Sequence, residues 1–147
     1  MFFSPGVAYV LKVMVNFHEE DSYLHAKDLA LAHGVPSQYL SKLFQSLSHA
    51  GILESCRGPR GGFRLAKPAH HITVKEIVEA IQGPSLAEGC VLGLGLCHEG
   101  NPCSLHHIWV DIRPQVDSAL EGTTLRDLQL QGRFPTSKAA GEIQPLP

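Results

Sequence analysis

A chain of 147 residues, 44% of them apolar, has the size of one domain with a short appendage and enough apolar material for a core. Its formal net charge of −2 excludes a uniformly cationic nucleic-acid binder, and no run approaches the ~18 uninterrupted apolar residues of a membrane span. The apolar run over 7–17 is broken by Lys12 and lacks a basic leader, so a cytoplasmic protein is expected, with its four cysteines reduced or bound to metal rather than paired in disulfides.

Ser4-Pro5 predicts an N-cap and first-turn proline for a helix reaching about Glu19, with Val7, Val10, Leu11, Met14, Val15 and Phe17 on a broad apolar face. A second helix is expected over about 26–32, stopped at Gly34. A third should run from a Ser37 cap to His49, ended by Gly51. In it Leu40, Leu43, Phe44 and Leu47 recur at three- and four-residue spacing and form one buried stripe. Gln38, Ser41, Lys42 and Gln45 fall mostly outside that stripe. Two short helices joined by a tight glycine turn follow the helix-turn-helix plan, whose second helix enters the DNA major groove.

What comes next sharpens that reading. Residues 52–55 read as a strand, the RGPRGG of 57–62 as a turn and 63–65 as the returning strand, which together make a basic, glycine-rich wing. Across residues 37–71, Lys42, Arg57, Arg60, Arg64 and Lys67 face a single acid, Glu54, a local net charge of +4 in an otherwise acidic chain. Arg57 and Arg60 at the tip suit a narrow, electronegative minor groove, and Gly58 and Gly61 let the main chain approach a phosphate. Cys56, next to Arg57, is either a small packed side chain or a redox-responsive thiol. His70-His71 read as a solvated linker pair.

Thr73 should begin a helix over 74–81 with Ile77, Val78 and Ile81 inward, and Gly83-Pro84 should close the DNA-binding unit. A glycine-rich stretch over 84–104 carries Cys90, Cys97 and Cys103. A longer helix is expected from about Ser104 to Leu120, bent at Pro114, with Leu105, Trp109, Ile112, Val116 and Leu120 on one stripe that would meet a twin in a homodimer. Thr123 or Thr124 should cap a short final helix to Leu130, ahead of a disordered tail. The expected organisation is therefore a winged-helix domain over 1–83, a cysteine-rich loop over 84–104, dimerisation and final helices over 105–130, and a tail over 131–147. The expected fold class is mainly α with a small β-wing.

The three loop cysteines are separated by six and then five residues, with His106 three beyond the last. Thiolates with one imidazole are soft ligands that suit an iron–sulfur cluster or zinc, and the spacing alone leaves both open. His106 sits where a helix starts, so its ring can turn back toward the thiols. A glycine-rich loop wraps a cluster without steric cost, and its ligand state can bias a neighbouring helix.

The arrangement resembles the winged-helix iron–sulfur regulators that include the biogenesis regulator IscR and the nitric-oxide sensor NsrR. The resemblance spans roughly residues 3–130 and rests on FSPGVAYVLK, VPSQYLSKLFQSLSHAGIL, ESCRGPRGGFRLAKP, ITVKEIVEAIQG, CVLGLGLCHEGNPCSLHHIW and TTLRDL. RGPRGGF and CSLHHIW are its specific parts. It implies that Cys90, Cys97 and Cys103 bind the cluster with His106 as fourth ligand. It also implies that Ser37, Gln38, Ser41 and Lys42 on the recognition helix and Arg57, Gly58, Arg60 and Gly61 on the wing contact double-stranded DNA. Two departures matter. Ala8 stands beside Tyr9 where some members carry an acidic cluster ligand, which favours [2Fe–2S] over [4Fe–4S]; and the first cysteine gap is six residues where IscR has five, which brings in His98 and His107 as substitutes. Other members hold no cluster and respond through thiols or a docked enzyme. The expected protein is a homodimeric regulator of a palindromic operator, with no membrane partner and no catalytic activity, because no nucleophile–base pair or nucleotide loop is apparent. Its alternatives within the fold are a zinc-containing or a thiol-sensing regulator.

Overall fold

The computed structural model describes residues 3–20, 22–84 and 88–132. Its elements in chain order are α1 (Pro5–Met14), α2 (Ala26–His33), α3 (Ser37–His49), β1 (Leu53–Cys56), β2 (Gly62–Leu65), a 3-10 turn (Ala69–His71), α4 (Val74–Gln82), α5 (His106–Gly122) and α6 (Leu125–Gln131). The architecture is mainly helical with one small antiparallel sheet, as expected.

Ser4 caps α1 by accepting the Val7 N–H, and its own N–H donates to Gln82 Oε1 at 3.0 Å, tying the start of α1 to the end of α4. The helix stops at Met14 rather than near Glu19. The reason is local: the Asn16 amide donates to the carbonyls of Lys12 and Val13, competing with the backbone ladder, and the next N–H groups reach back only three residues. Phe17 stays fully buried, its ring edge-on to Phe44 at 5.6 Å. Gly34 ends α2 in the left-handed conformation at φ +66°. Pro36, not Ser37, is the cap of α3; Ser37 is its first helical residue. The Pro36 carbonyl accepts the Leu40 N–H as the first bond of the helix, and no side chain caps this end. Leu40, Leu43, Phe44 and Leu47 form the buried stripe, packed with Val10, Val13, Met14, Ile52, Ile72 and Ile77.

The wing pairs Leu53 with Leu65, Glu54 with Arg64, Ser55 with Phe63 and Cys56 with Gly62. Its first strand begins one residue late because Ile52 is drawn into the core, its N–H closing α3 on the Leu47 carbonyl. A third rung was not foreseen: Leu24 and Phe63 exchange both backbone hydrogen bonds at 2.8 Å, so the segment ahead of α2 forms the outer edge of the wing. At its base the Arg64 guanidinium pairs with Glu54 and lies 4.6 Å over the Tyr23 ring, while the Tyr23 hydroxyl donates to Glu54. That hydroxyl, and then Arg64, hold the Glu54 carboxyl below its ordinary range.

Two wing glycines have no room for a side chain. A Cβ at Gly61 would lie 2.2 Å from the Cys56 carbonyl oxygen, and one at Gly62, at φ +139°, 2.4 Å from the Leu24 oxygen. The obstacles are backbone atoms, which cannot rotate away. Gly61→Ala is expected to cost about 2–3 kcal/mol, read as a fall of several degrees in thermal midpoint. Gly122→Ala, which meets nothing within 4 Å, is the matched control and should change little.

Thr73 and Glu76 form a capping box on α4, and Thr124 with Asp127 forms another on α6. The chain after α5 returns to the start of α4: Val74 N–H donates to the Thr123 carbonyl and Leu125 N–H to that of Ile72, both at 2.8 Å. Leu125 is fully buried in the main core. Lys75 pairs with Asp117 at 2.8 Å, joining α4 to the middle of α5. Pro114 lies inside α5 without ending it. Gln131 closes α6, and the expected tail otherwise lies outside the described residues beyond Gly132. Among the described residues no helix is long and apolar enough to cross a membrane.

Candidate functional site

Because the apolar stripe of α3 is turned into the core, its other side faces out. Gln38, Lys42 and Gln45 are exposed, and Ser37 and Ser41 are half-buried at its edge. Arg57, Gly58 and Arg60 are exposed at the wing tip, whereas Gly61 is buried and contributes only backbone. A groove of about 440 Å³ separates the end of α3 from the wing and is lined by Gln45, His49, Ser55, Cys56, Arg57, Gly62 and Phe63. The hairpin therefore stands beside the exposed side of α3, with no carboxylate between them. His49 is the groove residue that the sequence reading missed; its position in the last turn before Gly51 gave no sign of facing the wing.

The cationic patch is smaller than its formal charge. Arg64 is engaged by Glu54 and Lys67 by Glu76. Among the described residues that leaves Lys42, Arg57 and Arg60 without a carboxylate partner. Cys56 is exposed rather than packed, its thiol donating to the Arg57 carbonyl at 3.5 Å. The His70 and His71 rings lie 4.1 Å apart, tilted by 59°, with His70 at 4.0 Å from Glu19 and neither in the groove.

The second constellation is built by a small hairpin. Gly89 bridges Leu96, Cys97 N–H donates to the Glu88 carbonyl and Cys90 N–H to that of Gly95, so that Cys90 and Cys97 leave the same narrow loop. Cys103 and His106 approach from the start of α5, where His106 N–H donates to the Cys103 carbonyl. The thiols of Cys90 and Cys103 lie 3.8 Å apart, and Cys97 Sγ lies 3.2 Å from His106 Nδ1. All four line one cavity of about 260 Å³, and no carboxylate borders it. Backbone N–H groups, that of Leu92 first, draw the Cys90 thiol below its ordinary range against the opposing effect of burial. His106 is buried; His98 reaches the same cavity but is exposed, and His107 is exposed and outside it. Among the described residues no three side chains converge on one point as they would around a single metal ion.

Trp109, one turn past His106, is 7% exposed and donates its indole N–H to the Gly89 carbonyl at 2.8 Å. It therefore anchors the cysteine hairpin to α5 rather than belonging to a dimer stripe. Leu120 turns toward Val7, Val74 and Val78. Left uncovered are Leu105 at the N-cap of α5 and Ile108, Val110 and Ile112 within it, at 40%, 59%, 37% and 43% exposure; Leu105, Ile108 and Ile112 follow spacings of three and four residues. The single stripe expected from the sequence is thus divided between two neighbours and solvent.

An outward α3 beside a glycine-built basic wing defines a winged-helix DNA-binding regulator. The chain belongs to the Rrf2 family, iron-dependent transcriptional regulators, which it matches over residues 3–130. It is 34% identical to an HTH-type transcriptional regulator of Aquifex aeolicus over 144 residues, covering 94% of this chain and 100% of that protein. It is 32% identical over 114 residues to the HTH-type transcriptional regulator IscR of Vibrio campbellii, covering 78% of this chain and 67% of that one. Among solved structures it is similar to CymR, the global cysteine regulator of B. subtilis, with a TM-score of 0.73 and 28% identity over 89% of this chain and 98% of that one. IscR of T. potens shares the fold, with a TM-score of 0.63 at 23% identity over 87% of this chain and 82% of that one. The protein is thus a DNA-binding transcriptional regulator and not an enzyme.

Proposed function

We propose that this regulator is a cytoplasmic homodimer whose affinity for a palindromic operator is set by an iron–sulfur cluster held by Cys90, Cys97, Cys103 and His106. The observation that carries the reading is the single cavity lined by three thiols and a buried imidazole, with no carboxylate to favour a hard cation. The donors fit the group in a particular way. They stand as two contacting pairs, Cys90 with Cys103 and Cys97 with His106, which suits the two irons of a [2Fe–2S] centre better than the single point of a zinc site. The similarity to IscR supports the same choice.

Duplex DNA would meet Ser37, Gln38, Ser41 and Lys42 in the major groove and Arg57, Gly58, Arg60 and Gly61 at the wing. Two α3 helices related by a dyad would read half-sites about one helical turn, or ~34 Å, apart. Leu105, Ile108 and Ile112 supply the apolar face for the second copy. Residues 84–104 then act as the sensing loop and 105–130 as the connection to the partner. The connection is continuous: Trp109 joins the loop to α5, Lys75–Asp117 joins α5 to α4, and the backbone bonds of Thr123 and Leu125 join it to the DNA-binding core. Loop order can therefore bias the relative placement of the two recognition helices.

Similarity to CymR favours a second reading, a cluster-free thiol sensor of the same fold. One experiment separates them. Protein purified without oxygen should be brown and dimeric, and its operator affinity should change by about 5–150-fold when a chelator strips the iron at fixed salt. Equal affinities would remove the coupling. A colourless protein with stoichiometric zinc would remove the cluster.

A further inference from the structure

The loop thiols are not equivalent. Cys90 and Cys103 face each other at 3.8 Å, one from the hairpin and one from the turn ahead of α5, while Cys97 meets His106 instead. We infer that in the metal-free chain Cys90 and Cys103 close an intramolecular disulfide when exposed to a peroxide, and that Cys97 stays a thiol. The inference rests on the arrangement of the sulfurs and not on the identity of any bound cluster.

A covalent S–S bond is about 2.05 Å long, so the two sulfurs need to approach by less than the width of one atom, a movement that side-chain rotation supplies. Both residues are half-buried on the wall of an open cavity, which admits a molecule as small as hydrogen peroxide. Cys97 has no such thiol neighbour, and Cys56 is on the wing, outside the cavity.

The chemistry balances without another reactant. One thiol, as its thiolate, attacks the peroxide; an S–O bond forms, the O–O bond breaks, and a sulfenic acid and one water result. The second sulfur attacks the sulfenic sulfur, forming S–S and expelling the oxygen as a second water. The two cysteines together lose two electrons and two protons, and the peroxide takes both. The product removes two of the four proposed ligands at once, so the oxidised loop and the loaded loop exclude each other. It also fastens the hairpin covalently to the start of α5.

The test uses the full chain, stripped of metal under reductant, freed of reductant and treated with hydrogen peroxide. Remaining thiols are blocked with iodoacetamide, the protein is reduced, and newly freed thiols are labelled with N-ethylmaleimide and located by peptide fragmentation. N-ethylmaleimide is expected on Cys90 and Cys103, and iodoacetamide on Cys56 and Cys97. Cys97→Ser should pair its sulfurs within about twofold of the parent rate, whereas Cys90→Ser and Cys103→Ser should lose the reaction. Circular dichroism confirms that each variant is folded. N-ethylmaleimide on Cys97, an even mixture of the three pairings, or crosslinks between chains only would overturn the assignment.

Discussion

Arg57→Ala/Arg60→Ala is expected to lose operator affinity by on the order of 10³-fold while leaving the fold and the dimer as they are. Both side chains are exposed at the wing tip and neither is engaged by a carboxylate among the described residues, so their removal breaks no internal ion pair. Stability should stay within about 0.5 kcal/mol of the parent. At roughly 1 kcal/mol for each wing arginine, two per wing and two wings per dimer supply about 4 kcal/mol. Fluorescence anisotropy across a salt series of about 50–200 mM is the measurement, because every phosphate that is no longer neutralised lowers the slope of log K against log salt by about 0.9. Arg64→Ala is the informative comparison. Its charge is already satisfied by Glu54 and its plane covers Tyr23, so its removal should loosen the base of the wing and lower the thermal midpoint without changing the salt slope. Unchanged operator affinity in the double variant would refute the role of the wing.

Cys97→Ala should yield a colourless protein from anaerobic purification and erase the difference in operator affinity between untreated and chelator-treated samples. His106→Ala tests the fourth ligand. Its ring is buried against Cys97, whereas the rings of His98 and His107 are exposed, so only the first substitution should speed loss of the visible absorbance, by about tenfold or more. Retention of colour in His106→Ala together with its loss in His98→Ala would move the fourth ligand to the loop. Iron and sulfide content, measured beside the absorbance, keeps a misfolded variant from passing as an empty one.

Much of this was legible in the chain. Ser4-Pro5, Gly34 and Thr73 announce their helix ends because capping depends on a few consecutive residues, while the choice of Thr124 over Thr123 comes from the structure. The spacing of Leu40, Leu43, Phe44 and Leu47 decides which side of α3 is buried, and by difference which side is left outward. The glycine-rich turn of the wing is equally plain, but that Gly61 is fixed by the Cys56 carbonyl and Gly62 by that of Leu24 comes only from the structure. The four donors of the cysteine pocket could be named from spacing and resemblance; what could not be named was their division into two pairs.

The misreadings share a cause. The apolar periodicity of the first helix runs on through Phe17, three residues past its end, and only the Asn16 side chain interrupts the backbone. The charge patch is smaller by one than the count over 37–71, because Glu76, just beyond that window, pairs with Lys67. Glu54, which meets Arg64 by cross-strand register, is already within the count.

The sequence by itself determined the order of elements, the outward side of α3, the wing and the set of candidate ligands. All of these depend on interactions among residues a few positions apart, where chain connectivity restricts the choices. Only the tertiary structure decided how α5 and its cap distribute their apolar residues: Trp109 to the cysteine hairpin, Leu120 to α4, and Leu105, Ile108, Val110 and Ile112 to solvent. It likewise decided that α6 returns to the first core and that Leu24 edges the wing. An amphipathic pattern states that a side must be covered, but not by what, because the covering surface comes from segments far along the chain whose approach is set by the packing of the whole.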